Sequence, residues 1–166
     1  MFSKHIPLAA ILRDDDVKPE AAEVEAEAEG DGASVSTDLV IGVRGRPGGL
    51  VVPLKITTRE RIVQPFAHQR ILDSAFGAGH YRSLIVCMSE TQLDKRTTSV
   101  KQVCVPGTIK LFQKYLAPIA GLYYCDVPQR YAARDMERVV NVRSVGYFFE
   151  DLRLLLAKIT SPEKAG

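Results

Sequence analysis

Residue types that perform covalent catalysis or ligate metal ions are sparse in this sequence, and they do not converge. The three histidines and three cysteines have no zinc-ligand spacing and form no C-x-x-C pair: His5, His68, His80, Cys87, Cys104 and Cys125. No G-x-S-x-G, P-loop or H-E-x-x-H motif is present. Cysteines in this pattern are typical of buried free thiols in a reducing compartment. The sequence therefore predicts no enzyme, no catalytic residue, no metal site and no cofactor.

Basic side chains are better organised than the catalytic types. Two arginines lie at the tip of a predicted hairpin, three cations share the odd positions of a predicted strand, and three more lie in and beside a polar loop: Arg44, Arg46, Lys55, Arg59, Arg61, Lys95, Arg96 and Lys101. Lys and Arg side chains neutralise phosphates in a sequence-independent, salt-dependent way. These eight residues are the predicted contact site for phosphate, either of a lipid headgroup or of a nucleic acid. Ordinary solvated surface charge explains the pattern about equally well.

The stretch "RGRPGG" at residues 44–49 contains the R-G-R-P core of an AT-hook. A working hook is a flexible basic peptide whose arginines enter the minor groove. Here the core lies between the apolar runs "LVIGV" and "LVVPLKI". We therefore interpret it as a hairpin loop, in which Gly45, Gly48 and Gly49 supply positive-φ positions, and whose arginines contact phosphate rather than bases.

Charge is segregated along the chain. Residues 1–37 hold three Lys/Arg and nine Asp/Glu, a net charge of −6, whereas the remaining 19 Lys/Arg and 11 Asp/Glu give +8. The acidic segment lacks large apolar residues between positions 14 and 37 and is predicted to be disordered. We expect three parts: a disordered acidic tail (1–37), a globular domain (38–160) and a flexible C-terminus (161–166). No window is apolar enough to span a membrane.

Hydrophobic periodicity predicts an α+β class: one compact domain with a mainly antiparallel sheet and two to three packed helices. Strands are predicted in "LVIGVR", "LVVPLKITTRERIV", "YRSLIVCM", "VKQVCV", "GLYYCDV" and "RVVNVRSV". Helices are predicted in "FAHQRILDSAF" and "GYFFEDLRLLLAKI". Residues 108–119 fit either a helix or a strand.

The central block resembles the matrix proteins of rhabdoviruses, particularly the vesiculovirus type. "VPLKITTRE", "PFAHQRILDSAF", "YRSLIVCMSETQL" and "GTIKL" follow the order of elements in that family, over roughly residues 50–112. The resemblance implies that "GTIKL" is a strand. It also implies a non-enzymatic viral structural protein that self-associates, condenses a nucleoprotein–RNA complex and binds the anionic inner leaflet during virion assembly. The expected location is the virion, the host cytoplasm and the inner face of the host membrane. The family's P-P-x-Y and P-[TS]-A-P budding motifs are missing.

A second hypothesis also follows from the basic body. A small RNA-binding or ribonucleoprotein scaffold subunit, for instance of an organellar ribosome in the mitochondrial matrix, would use the same cations to hold an RNA backbone. Neither hypothesis involves a small-molecule substrate.

Overall fold

The computed structural model describes residues 37–58, 61–131, 136 and 138–160, and the backbone of three short strands before residue 37. The strands are β1 Val17–Glu20, β2 Val24–Glu25, β3 Ser34–Val35, β4 Val40–Val43, β5 Gly49–Val51, β6 Leu54–Lys55, β7 Tyr81–Cys87, β8 Thr91–Asp94, β9 Ser99–Gln102, β10 Gly121–Tyr124 and β11 Val142–Ser144. The helices are α1 Val63–Phe76, α2 Pro106–Tyr115 and α3 Phe148–Thr160, with short 3₁₀ turns at Gln129–Tyr131 and Val145–Tyr147.

The predicted α+β class is confirmed: the described residues form one seven-stranded mixed sheet, two two-stranded sheets and three helices. The sheet order is β1-β4-β5-β7-β10-β11, and β6 also pairs with β7. Strand β4 runs antiparallel to β1 and β5, whereas β5, β6 and β10 run parallel to β7, and β11 parallel to β10. The sequence predicts a mainly antiparallel sheet; the structure corrects this to a mixed sheet with a parallel centre. Central parallel strands are buried on both faces, so their runs of apolar residues carry no alternation that would reveal strand direction.

Successive side chains of the central strands pack into different layers, because neighbouring residues of a strand point to opposite faces. On one face, Leu84 and Tyr123 pack with α3 through Leu152. On the other face, Ile85 and Tyr124 belong to a second core cluster shared with α1 and α2. The sheet is therefore the middle of three layers, with α3 on one side and α1 and α2 on the other.

Residues 108–119 were left open between helix and strand by the sequence; of these, 108–115 are helical and belong to α2, which begins at Pro106. Pro106 occupies the first turn, where its missing N–H costs no hydrogen bond. Ile109 is fully buried, and the Phe112 ring lies 5.6 Å from that of Phe66 on α1. The strand that the matrix resemblance implies for "GTIKL" is therefore wrong.

The hairpin loop predicted at "RGRPGG" is confirmed between β4 and β5. Gly45 and Gly48 have φ values of 74° and 83°, which a glycine adopts without strain. A Cβ on Gly48 would lie 2.2 Å from the His80 carbonyl oxygen, so this glycine also permits a close backbone approach. Gly49, the first residue of β5, does not have the predicted positive φ and pairs with Tyr81 of β7.

The predicted strand through "LVVPLKITTRERIV" is shorter than expected. Only β5 and β6 are strands, Pro53 lies between them, and a turn at Arg61 and Ile62 leads directly into α1. Apart from the backbone of β1, β2 and β3, the predicted disordered tail (1–37) and flexible C-terminus (161–166) lie outside the described residues, so both remain predictions.

Candidate functional site

A cleft of about 640 Å³ opens at the end of the sheet where β6 and β7 terminate. Its walls come from the segment after β5, from the turn before α1, and from the base of the β8–β9 hairpin. The lining residues are Asp38, Leu54, Lys55, Ile56, Thr57, Arg61, Thr91, Gln92 and Val103. Among them Asp38 is the acid and Lys55 and Arg61 are the cations, so the cleft combines one negative with two positive charges.

Hairpin geometry brings Asp38 to the cleft. Val40 pairs with Val51 across β4 and β5, so the residues just before β4 meet those just after β5. The Leu54 backbone N–H donates to Asp38 Oδ2 at 2.7 Å, and the Val52 N–H donates to the Leu39 carbonyl at 2.8 Å. A carboxylate has about four acceptor sites, so this one bond fixes the group and leaves acceptor capacity for a cation.

Lys55 lines the same cleft as this carboxylate, and the neighbouring strand fixes its backbone. Its carbonyl accepts from the Met88 N–H at 3.0 Å, and the Pro53 carbonyl accepts from the Val86 N–H at 3.1 Å. These bonds continue the parallel pairing of β6 with β7, in which Lys55 is opposite Cys87. Leu54, whose N–H binds Asp38, and Lys55 thus both lie in the hydrogen-bonded backbone of the sheet and not in a loose loop.

A buried carboxylate lies under the cleft. Glu90 is 1% exposed, and its oxygens accept from the Thr58 N–H at 3.2 and 3.3 Å, from the Thr58 hydroxyl, and from the Tyr124 hydroxyl at 2.8 Å. Burial, together with the neighbouring charges including that of Glu90, raises the pKa of Tyr124, so its hydroxyl remains a donor. Glu90 therefore ties the segment after Lys55 to the centre of the sheet.

His68 lies on α1 behind the cleft, in a small depression that Pro53 and Ser83 also line. Burial, followed by the positive charge of Lys55, lowers the pKa of this histidine. At neutral pH it is therefore a neutral imidazole close to the cationic wall. The neighbouring Gln69 has a structural role, because it accepts from both the N–H and the hydroxyl of Ser83.

The predicted phosphate-contact residues separate into three groups. Lys55 and Arg61 line the cleft. Lys95, Arg96 and Lys101 belong to the β8–β9 hairpin, whose base lines the same cleft, and Lys101 forms an ion pair with Asp94. Arg44 and Arg46 lie in the β4–β5 loop, and the eighth residue, Arg59, lies outside the described residues.

That loop is at the far end of the sheet from the cleft. Gly49, just after it, pairs with Tyr81 at the start of β7, whereas Lys55 pairs with Cys87 at its end. Six residues of strand at about 3.3 Å each separate the two positions by about 20 Å. Arg44 and Arg46 therefore do not share a site with Lys55.

Asp38 is the cleft residue that the sequence-based prediction missed. It was assigned to the boundary between the tail and the domain, and 16 residues separate it from Lys55. The available signal was the hairpin itself, because an acid just before the first strand must approach a lysine just after the second.

No protein-family model matches the chain, and no curated protein matches it. Two solved structures do. The crystal structure of the Type IIP restriction endonuclease Kpn2I is 51% identical with a TM-score of 0.70, and the match covers 95% of this chain and 48% of that one. The restriction endonuclease PspGI, solved with its substrate DNA, is 13% identical with a TM-score of 0.58, covering 90% of this chain and 58% of that one. The chain thus spans about half the length of each.

These matches overturn the functional expectations drawn from the sequence. The resemblance to rhabdovirus matrix proteins is wrong, because both matched structures are restriction endonucleases. The matched proteins are enzymes that cleave DNA. The predictions of a virion-assembly role, of a ribonucleoprotein scaffold and of a non-enzymatic protein are therefore also wrong. Within the described part of the chain, no helix is long and apolar enough to cross a bilayer.

The expected partners and location are corrected on the same ground. An anionic membrane, a nucleoprotein–RNA complex, a virion and the inner face of a host membrane all belonged to the matrix hypothesis, and PspGI was solved with DNA instead. The physical cause of the error is that order of elements and basic charge do not define a fold; strand pairing does. By fold, this chain is similar to the matching parts of the restriction endonucleases Kpn2I and PspGI.

Proposed function

We propose that this chain carries a Mg²⁺-dependent DNA phosphodiesterase site in the cleft between β6 and the β8–β9 hairpin. Asp38 is the metal-binding carboxylate, Lys55 is the cation at the scissile phosphate, and Arg61 contacts a neighbouring phosphate. The observation that carries the proposal is the bond from the Leu54 N–H to Asp38, which fixes a carboxylate in an open cleft that Lys55 also lines. The 51% identity to Kpn2I, a Type IIP restriction endonuclease, supports the same activity class.

The residues present fit a magnesium ion that substrate oxygens help to hold. Within the described residues, no group of three or more His, Cys, Asp or Glu side chains could enclose a metal ion. Mg²⁺ keeps several waters and is usually bound through one or two carboxylates together with substrate phosphates. Asp38 supplies such a carboxylate. When bound, the ion would polarise a phosphate oxygen and lower the pKa of a coordinated water.

The chain's own groups supply the remaining electrostatics. Phosphodiester cleavage builds negative charge on the phosphate oxygens, and a cation positioned there before the reaction stabilises the transition state without reorganising. Lys55 is such a cation, because pairing with β7 fixes its backbone. Arg61 stands on the turn before α1 and can bind a phosphate with two parallel hydrogen bonds. Asp38 is oriented by a backbone donor, so its position does not depend on the ligand.

The test is cleavage of supercoiled plasmid DNA by the 166-residue chain in Mg²⁺ buffer, with three variants. Asp38→Asn keeps the shape of the side chain and removes its charge, and Lys55→Ala removes the cation. We expect each to lower the cleavage rate by about a hundredfold or more. Arg153→Ala, on the exposed outer side of α3, is the matched control and should retain the wild-type rate.

DNA binding by the same proteins, measured by fluorescence anisotropy in EDTA without a divalent ion, separates chemistry from affinity. Asp38→Asn should bind DNA at least as tightly as the wild type, because it removes a negative charge from the cleft. An Asp38→Asn or Lys55→Ala protein that cleaves at the wild-type rate would refute the assignment. So would a wild-type chain that leaves the plasmid intact.

A further inference from the structure

The β8–β9 hairpin stands apart from the main sheet. Among the strands that the structure describes, its two strands pair only with each other, over residues 91–94 and 99–102. Every residue of β9 is exposed. Leu93 and Val100 are directly opposite across the ribbon and are 58% and 68% exposed.

The base of the ribbon, in contrast, is firmly anchored. The Val103 N–H donates to the Glu90 carbonyl at 2.8 Å, and the Glu90 carboxylate is buried under the cleft. The hydroxyls of Ser89 and Thr91 are 3.0 Å apart and share a hydrogen bond. A rigid base thus carries a ribbon whose two faces both meet solvent. An isolated two-stranded ribbon is at best marginally stable in water, so a bound partner is expected to cover it.

The charge at the turn of the ribbon indicates what kind of partner covers it. The turn of the ribbon carries Lys95 and Arg96, both exposed. The acid nearby, Asp94, is already engaged by Lys101 and by the Arg96 backbone N–H. The tip is therefore cationic, and the partner that complements it is a polyanion.

The position of the ribbon beside the cleft indicates that this polyanion is duplex DNA. Thr91 and Gln92, at the base of the ribbon, line the same cleft as Asp38 and Lys55. A strand of four residues spans about 13 Å. The major groove of B-DNA is about 12 Å wide and 8.5 Å deep and admits a two-stranded ribbon, whereas the minor groove, about 6 Å wide, does not.

We propose that the β8–β9 ribbon is a DNA-binding arm that enters the major groove beside the phosphate held in the cleft. Lys95 and Arg96 contact backbone phosphates at its tip. The Leu93–Val100 pair faces base edges, where an apolar side chain contacts the methyl group of thymine. The inference rests on the proposed function, because it requires a duplex in the cleft.

The first test measures the salt dependence of binding. A fluorescein-labelled duplex of about 20 base pairs is titrated with the chain across a KCl series. In the double variant Lys95→Ala/Arg96→Ala, the negative slope of log Kobs against log[salt] should become less steep by about 2. Binding should weaken on the order of tenfold near 0.1 M salt. Arg153→Ala/Lys158→Ala removes the same charge from α3 and is the matched control. An unchanged slope in the arm variant, or an equal loss in the control, would overturn the proposal.

The second test identifies the groove. Residues 93–100 are replaced by Asn-Gly, which joins the paired residues Gln92 and Lys101 by a two-residue turn. Dimethyl sulfate modifies guanine N7 in the major groove; the wild-type chain should protect a patch of guanines that the shortened chain leaves reactive. Identical protection by both proteins would place the ribbon outside the groove and leave a protein partner as its occupant.

Failure of the arm and failure of the cleft are distinguishable. If the shortened chain binds DNA as the wild type does while Asp38→Asn still abolishes cleavage, the arm is refuted and the catalytic cleft stands. If the arm variants weaken binding while Asp38→Asn cleaves normally, the ribbon binds DNA and the catalytic assignment fails.

Discussion

Glu90 provides the sharpest test of how the cleft is held together. Its carboxylate accepts from the Thr58 N–H, the Thr58 hydroxyl and the Tyr124 hydroxyl, and more weakly from the Cys87 thiol at 4.0 Å. Glu90→Ala leaves these donors buried without a partner, and each unsatisfied group costs about 1–3 kcal/mol. Because Thr58 and Tyr124 are also fully buried, water cannot easily replace the carboxylate. We expect the free energy of unfolding to fall by about 3–6 kcal/mol.

Urea denaturation followed by circular dichroism measures this loss. Glu90→Gln retains one acceptor oxygen and should lose about 1–2 kcal/mol, and Tyr124→Phe, which removes one donor, about the same. Because Glu90 and Tyr124 share a hydrogen bond, the double variant Glu90→Gln/Tyr124→Phe should show a coupling energy of at least about 0.5 kcal/mol. Asp126→Ala removes an exposed carboxylate nearby and should change stability by less than about 0.5 kcal/mol. A Glu90→Ala loss below about 1 kcal/mol would refute the buried network.

Two further predictions concern the hairpin loop and the histidine behind the cleft. Gly48→Ala should destabilise the chain by several kcal/mol more than Gly45→Ala in the same urea assay. Both glycines have positive φ, but only a Cβ on residue 48 would meet the His80 carbonyl oxygen, at 2.2 Å. Equal losses of stability in the two variants would contradict this. Burial and then the Lys55 charge lower the pKa of His68, so its contribution to stability is fully present above the unfolded pKa of about 6.5 and is lost as pH falls through the lower folded pKa. His68→Gln should flatten the decline in the free energy of unfolding between about pH 7 and 5, and an unchanged pH profile would exclude that burial.

Most of the element types follow from the sequence because they depend on local periodicity. Helix α1 and strand β7 appear where the apolar pattern predicts them, since a turn with Gly77 separates a helical face from a short apolar run. Strand direction does not follow in the same way. The pairing of β7 with β10 is parallel because α2 lies in the connection between them, and residues 108–119 were ambiguous between helix and strand. With this connecting element left open, the direction of β10 relative to β7 could not be derived, and the sheet was expected to be mainly antiparallel.

The candidate site was predictable only in part, and the reason is physical. Lys55, Arg61 and the cations of the β8–β9 hairpin could be proposed from the sequence, because phosphate contacts need little more than exposed positive charge. Catalysis needs a carboxylate and a cation at one point in space, and spacing along the chain carries that information only once strand pairing is known. Arg44 and Arg46 illustrate the converse, because they are near Lys55 in sequence and about 20 Å from it along the sheet.

The placement of Asp38 would allow a domain with so few candidate groups to carry the proposed metal-assisted chemistry. A hairpin of two short strands brings residues 16 positions apart to a 2.7 Å contact, and it does so with backbone bonds that no side-chain motif records. The site therefore needs no cluster of conspicuous ligands, because a substrate phosphate can supply the remaining oxygens that Mg²⁺ requires. If the site is built in this way, DNA is both the substrate and part of the metal's coordination. The affinity of the chain for Mg²⁺ should consequently rise when a duplex is bound, and that coupling should disappear in Asp38→Asn.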